Sequence, residues 1–129
     1  WFYRSGCHWL SDDQTPSNRG FSPAVFDIDK SKSGLLALNN NCLITETPAE
    51  VIKLSFRLII MLPKSDQEDY VLFSDKGIVS EINPGDLILE MSTGYILQLE
   101  QQALRIKSYK ADFIDAPVRL SPAESATGY

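Results

Sequence analysis

Apolar and polar residues alternate along much of this chain. From Glu50 to Leu62, the side chains of Ile52, Leu54, Phe56, Leu58, Ile60 and Leu62 fall on one side of an extended backbone, with Lys53, Ser55 and Arg57 on the other. That is the period of a long, half-buried strand. Shorter runs of the same kind, bounded by turn residues, lie at Ala24–Asp29, Leu35–Leu38, Cys42–Thr45, Tyr70–Ser74, Gly77–Asn83, Asp86–Met91 and Tyr95–Leu99. Strands spaced about 8–12 residues apart predict an all-β, single-domain antiparallel β-sandwich.

The connections support antiparallel pairing. Lys30-Ser31-Lys32-Ser33-Gly34 reads as a polar hairpin loop ending on glycine, and Asp75-Lys76-Gly77 as a chain reversal. In Asn83-Pro84-Gly85-Asp86, proline and glycine take the two central positions of a type II turn, which makes the Gly77–Asn83 and Asp86–Met91 runs neighbours. Glu100–Lys110 stays open: it is rich in helix formers, yet Leu104 and Ile106 alternate with Arg105 and Lys107, so a further strand fits equally. Residues 1–129 form the one domain, with a loop-rich segment over 1–22 that includes Ser11–Gly20, and a frayed tail over 121–129.

Composition narrows the function. The 129 residues are 43% hydrophobic and 22% charged, with a net charge of −5 and a pI near 4.8. A chain of this sign is a poor binder of nucleic acid or anionic membranes. The longest apolar run, Leu58–Leu62, is far short of the ~20 residues that cross a bilayer. No signal peptide is visible, and a cytoplasmic location is expected. Cys7 and Cys42 belong to no CxxC pair and are read as reduced thiols, with a bond between them left open. The one histidine, His8, cannot build a His-rich metal site, and no nucleophile stands out beside it. Asp27 to Gly34 offers oxygens at alternate positions, as a calcium loop does, but Lys32 stands where the EF-hand requires glycine. A non-enzymatic protein is therefore expected, with no catalytic residue, metal or cofactor.

The acids are unevenly distributed. Between residues 66 and 100, eight acids (Asp66, Glu68, Asp69, Asp75, Glu81, Asp86, Glu90 and Glu100) face one base, Lys76. If Ile82, Leu87 and Leu89 point inward, Glu81 and Glu90 share the outer face of a hairpin. Such a surface would steer a basic partner.

The order of these elements over about Trp9 to Met91 resembles the ComJ family, small acidic proteins that inhibit a DNA-entry nuclease and have relatives acting as toxin immunity proteins. The points of likeness are Trp9 ahead of Asp12 and Asp13, Gly20-Phe21, Val25-Phe26-Asp27 leading to Gly34-Leu35-Leu36, Gly77-Ile78-Val79, and Pro84-Gly85-Asp86. The resemblance implies a β-sandwich that occludes a basic toxin or nuclease. Asp66, Glu68, Asp69, Asp75, Glu81, Asp86 and Glu90 would pair with its basic groups, and Trp9 or Phe21 would anchor the centre. An alternative is a carbohydrate- or ligand-binding module with Trp1, Tyr3, Trp9 and Tyr95 as a stacking platform. A small hydrolase around His8 is a third.

Overall fold

The computed structural model describes residues 2–4, 22–39, 42–63 and 65–117. Elements follow in the order β1 (Phe2–Arg4), β2 (Ala24–Phe26), α1 (Lys30–Asn39), β3 (Leu43–Ile44), α2 (Pro48–Leu54), β4 (Arg57–Met61), α3 (Ser65–Phe73), a 3₁₀ turn (Ile78–Ser80), β5 (Leu87–Glu90), α4 (Ile96–Ser108) and β6 (Asp112–Asp115). The six strands make one sheet in the order β3-β2-β1-β4-β5-β6. Every neighbouring pair is parallel. This overturns the antiparallel all-β sandwich: helices supply the crossovers that parallel strands require.

The Glu50–Leu62 run shows where alternation misleads. Thr47 caps α2 by accepting a hydrogen bond from Glu50 N at 3.2 Å, Pro48 occupies the first turn, and the Glu50 carboxylate accepts from Glu46 N at 2.8 Å. Cap, proline and acid together nucleate a helix. Its register buries Val51 and Ile52 but leaves Leu54 56% exposed, and Phe56 beyond it is 60% exposed. Only from Arg57 does the chain extend into β4, where Leu58 and Ile60 are fully buried.

Other strand expectations also become helix. Lys30–Gly34 and Leu35–Leu38 are α1, not a hairpin and strand. Just before it, Asp29 Oδ1 accepts from Ser31 N at 3.1 Å and Ser31 Oγ at 2.6 Å, and these bonds hold the Asp29 carboxyl below its ordinary pKa. Tyr70–Phe73 ends α3, Tyr95–Leu99 opens α4, and Glu100–Ser108 continues it. Gly77–Asn83 holds the 3₁₀ turn and no strand. The turn at Asn83–Asp86 does form, with Gly85 at φ +91° and Asp86 N donating to Asn83 O at 3.1 Å. It leads into β5, and β5 pairs with β4 and β6 instead of with the preceding segment.

The core gathers Phe26, Ile52, Leu58, Ile60, Val71, Leu72, Ile78, Ile88 and Ile106 from strands and helices together. Gly77 closes the turn after α3. A β-carbon there would stand 2.8 Å from Val71 O and 2.9 Å from both Leu72 O and Ser74 N. These are backbone atoms, so Gly77→Ala should cost about 1–3 kcal/mol, measured as a lower urea midpoint. Among the described residues, no helix is long and apolar enough to cross a membrane.

Candidate functional site at the carboxyl ends of the strands

This sheet order has a built-in crevice. The chain builds outward from β1 to β3, returns through α2, and builds outward in the other direction from β4 to β6. Connections on either side of the β1/β4 boundary therefore diverge at the carboxyl ends of the strands, and open α/β sheets bind ligands there.

Asp27 follows β2 at that end. Its side chain is only 3% exposed, and its Oδ1 accepts from Asp29 N at 2.8 Å. Thr45, just past β3, donates from N and Oγ1 to Val25 O at 2.9 and 3.1 Å, tying the two strand ends together. An acid after the second strand is the group that receives the ribose hydroxyls of a dinucleotide in this fold class. The adenosine end of such a ligand thus fits the described residues. The phosphate end normally lies on a G-x-G-x-x-G turn, whereas this chain has only Gly6 and Gly20 between β1 and β2. No phosphate contact is assigned to any residue here.

A cleft of about 970 Å³ opens beyond β4 and β5. Pro63 follows β4, Asp66 and Asp69 stand on α3, and Thr93, Gly94 and Tyr95 lead into α4. A buried polar network joins its two loops. Leu62 N donates to Ser92 Oγ at 2.7 Å, Ser92 N donates to Glu90 Oε1 at 2.7 Å, and Gln102 Nε2 donates to Asp69 Oδ1 at 2.9 Å. Glu90 is fully buried and Glu68 is 1% exposed. Glu90 Oε2 has no hydrogen-bond partner among the described groups, and Glu68 has the side chains of Gln102 and Ser92 as its polar neighbours. Burial pushes the Glu90 carboxyl up to about 7, with Glu68 and Asp115 adding repulsion and hydrogen bonds from Ser92 opposing it. Burial raises Glu68 as well, with hydrogen bonding from Gln102 and Ser92 opposing it.

The seven acids expected to form one exposed surface are scattered. Asp66 and Asp69 line the cleft, and Asp75 lies in the turn after α3. Glu81 pairs with Lys53 at 3.4 Å. Asp86 is buried, its Oδ2 accepting from Asn83 N at 2.7 Å within the turn, and Glu68 and Glu90 are inside the protein. The reason is helical rotation: on α3, Glu68 points inward between two outward acids, an arrangement that a strand register does not produce. Trp9, Phe21, Trp1, His8 and Cys7 lie outside the described residues, Tyr3 falls in β1, and Tyr95 is 78% exposed at the cleft. By its pattern Asp27 belongs to a strand running into a hairpin, and the structure places it instead between β2 and α1. Its signal was an apolar strand ending on an acid. Among the described residues, no three His, Cys, Asp or Glu side chains are grouped to hold a metal.

Parallel sheet and switch point, with Asp27 buried after β2, define an open α/β protein of the doubly wound class. Residues 14–129 match the model of the NAD-binding domain of 6-phosphogluconate dehydrogenase, and the chain belongs to that family. A Dictyostelium discoideum protein named probable 3-hydroxyisobutyrate dehydrogenase, mitochondrial, is 30% identical over 100 residues, covering 78% of this chain and 31% of its own length. Among solved structures, 3-hydroxyisobutyrate dehydrogenase from Salmonella typhimurium superposes with a TM-score of 0.80 at 20% identity, over 98% of this chain and 44% of that one. An imine reductase from Myxococcus stipitatus, in complex with NADP+, gives 0.82 at 19%, over 95% and 41%. The chain therefore spans less than half the length of these proteins.

These findings overturn the ComJ-like resemblance, the toxin-blocking function, the non-enzymatic expectation and the basic protein partner. What they show instead is membership of the NAD-binding domain family, among relatives named as dehydrogenases and reductases. The points of likeness to ComJ were local. A Pro-Gly-Asp turn ahead of a strand, or a Phe-Asp pair ending one, is compatible with either fold, because turn chemistry does not record which strands pair.

Proposed function

We propose that this chain is the NAD-binding part of a dehydrogenase or reductase acting on a small hydroxy acid, an imine or their oxidised or reduced counterparts. The observation that carries the reading is the buried Asp27 carboxylate at the carboxyl end of β2, beside the switch point. Asp29 N–H orients Asp27, so the carboxylate is preset to accept from the adenosine ribose hydroxyls of NAD and to repel the 2′-phosphate of NADP. The bound dinucleotide would supply the hydride acceptor or donor. Pro63 and Thr93, at the ends of β4 and β5, would border its reactive end, and the network beneath them fixes both loops. No described side chain is assigned as the proton donor. A cytoplasmic location belongs to the same proposal.

Calorimetric titration tests this. The native chain should bind NAD+ more tightly than NADP+, and Asp27→Ala should weaken NAD+ by about 10- to 100-fold, the worth of a charge-assisted hydrogen bond. Equal binding of the two dinucleotides, or NAD+ affinity unchanged in a folded Asp27→Ala protein, would reject the assignment.

A further inference from the structure

The end of the crevice that holds Asp27 carries charge of both signs. Between Ser22 and Thr47 the described bases are Lys30 and Lys32, both in the first turn of α1, directly after Asp27-Ile28-Asp29. Each is paired with an acid. Lys30 Nζ stands 2.8 Å from Glu46 Oε2, and Lys32 Nζ stands 3.8 Å from Asp29 Oδ2. The second pair is local to one turn. The first joins residues 16 apart and links the segment after β2 to the segment after β3.

Both members of that longer pair are anchored. Lys30 Nζ lies 5.5 Å from the ring centroid of Phe26, the residue before Asp27. Glu46 follows Thr45, whose bonds to Val25 O fix the end of β3 against β2, and its own N–H donates to the Glu50 carboxylate. The Lys30 ammonium is thus held near the end of β2 that bears Asp27, and its charge is offset by a carboxylate from the end of β3.

That offset bears on which dinucleotide the site accepts. At the ribose, NAD carries a 2′-hydroxyl that can donate to Asp27, whereas NADP carries a phosphate of about two negative charges, which calls for a cation. A lysine three residues beyond Asp27 could supply it through a charge-assisted hydrogen bond. Bonded to Glu46, the same lysine supplies far less: a phosphate has to displace the carboxylate and then lie beside its charge.

We infer that Glu46 sets the cofactor preference of this site by holding the Lys30 ammonium away from a 2′-phosphate. The inference rests on the reading of Asp27 as the ribose acceptor and adds to it a positioning residue that acts through Lys30.

The test is calorimetric titration of the full chain with NAD+ and with NADP+ at low salt. Glu46→Gln keeps the backbone bond to Glu50 and alters a side chain that is 75% exposed, so the variant should fold as the native chain does. It should raise NADP+ affinity relative to NAD+ by about three- to tenfold. Combining Lys30→Gln with Glu46→Gln should return that ratio to within about twofold of the native one, because the receiving base is then gone. A merely structural role for the pair would move both dinucleotides alike and leave the ratio in place. A ratio unchanged in Glu46→Gln, or a gain that persists in the double variant, would overturn the inference. Asp27→Ala in the same titrations separates the two assignments. If it weakens NAD+ while Glu46→Gln leaves the ratio untouched, the role of Glu46 alone falls; if NAD+ binding ignores Asp27→Ala, the ribose assignment falls and takes the role of Glu46 with it.

Discussion

Ile60→Ala should destabilise the protein by about 3–4 kcal/mol, whereas Phe56→Ala should cost less than about 1 kcal/mol. Ile60 is fully buried in β4, between β1 and β5, and its carbonyl accepts from Met91 N at 2.8 Å. Removing three carbons from a packed site leaves a cavity that the surrounding strands cannot close, since their ladder holds them in place. Phe56 is mostly exposed, with Arg57 Cζ 4.9 Å from its ring centroid, so its truncation removes a surface contact. Urea unfolding should show a much lower midpoint for Ile60→Ala at an unchanged slope. The comparison also tests the fold. In a continuous strand over Glu50–Leu62 the two residues share one face and would cost similar amounts, so near-equal losses would contradict the helix–strand boundary at Ser55.

A second large effect is a dependence of stability on pH that runs opposite to that of most carboxylates. Burial holds the folded Glu90 carboxyl at about 7, against an ordinary 4.5. Between these values the folded state keeps a proton that the unfolded chain releases, so stability falls as pH rises through this window and levels off above it. The loss is on the order of 3 kcal/mol. Glu68, also raised by burial and facing Glu90, acts in the same direction. Glu90→Gln preserves the acceptor for Ser92 N and removes this titration, so its stability should fall less than the native chain's from pH 5 to 8, with Glu68 supplying the remaining slope, and exceed that of the native chain at pH 8. Thermal unfolding at the two pH values for both proteins measures this. A native chain that gains stability over the range relative to Glu90→Gln would show that Glu90 is ionised in the folded protein at little cost.

Several parts of the molecule were legible in residues alone. The Asn83–Asp86 turn formed where proline and glycine placed it, because φ restriction at one and freedom at the other are local properties. Extended segments at Ala24–Phe26, Leu43–Ile44 and Leu87–Glu90 lie inside the runs marked by alternation. The cap of α2 was also written locally, in Thr47-Pro48-Ala49-Glu50, although the longer alternation overlapped it. Strands of two to five residues are too short for a period to be told from a helical one, and that overlap turned α1, α2, α3 and α4 into apparent strands.

By itself the sequence determined the acidic excess, the lone histidine, the turn at Pro84-Gly85 and the carboxyl groups available at Asp27, Asp66, Glu68, Asp69 and Glu90. Tertiary structure alone decided what each does. Parallel pairing and the reversal of direction at β1 brought Asp27 to a crevice. The rotation of α3 turned Asp66 and Asp69 outward and sent Glu68 to meet Glu90 in the interior. Strand order and helix phase depend on contacts between residues far apart in the chain, so a period counted over a few neighbours does not contain them.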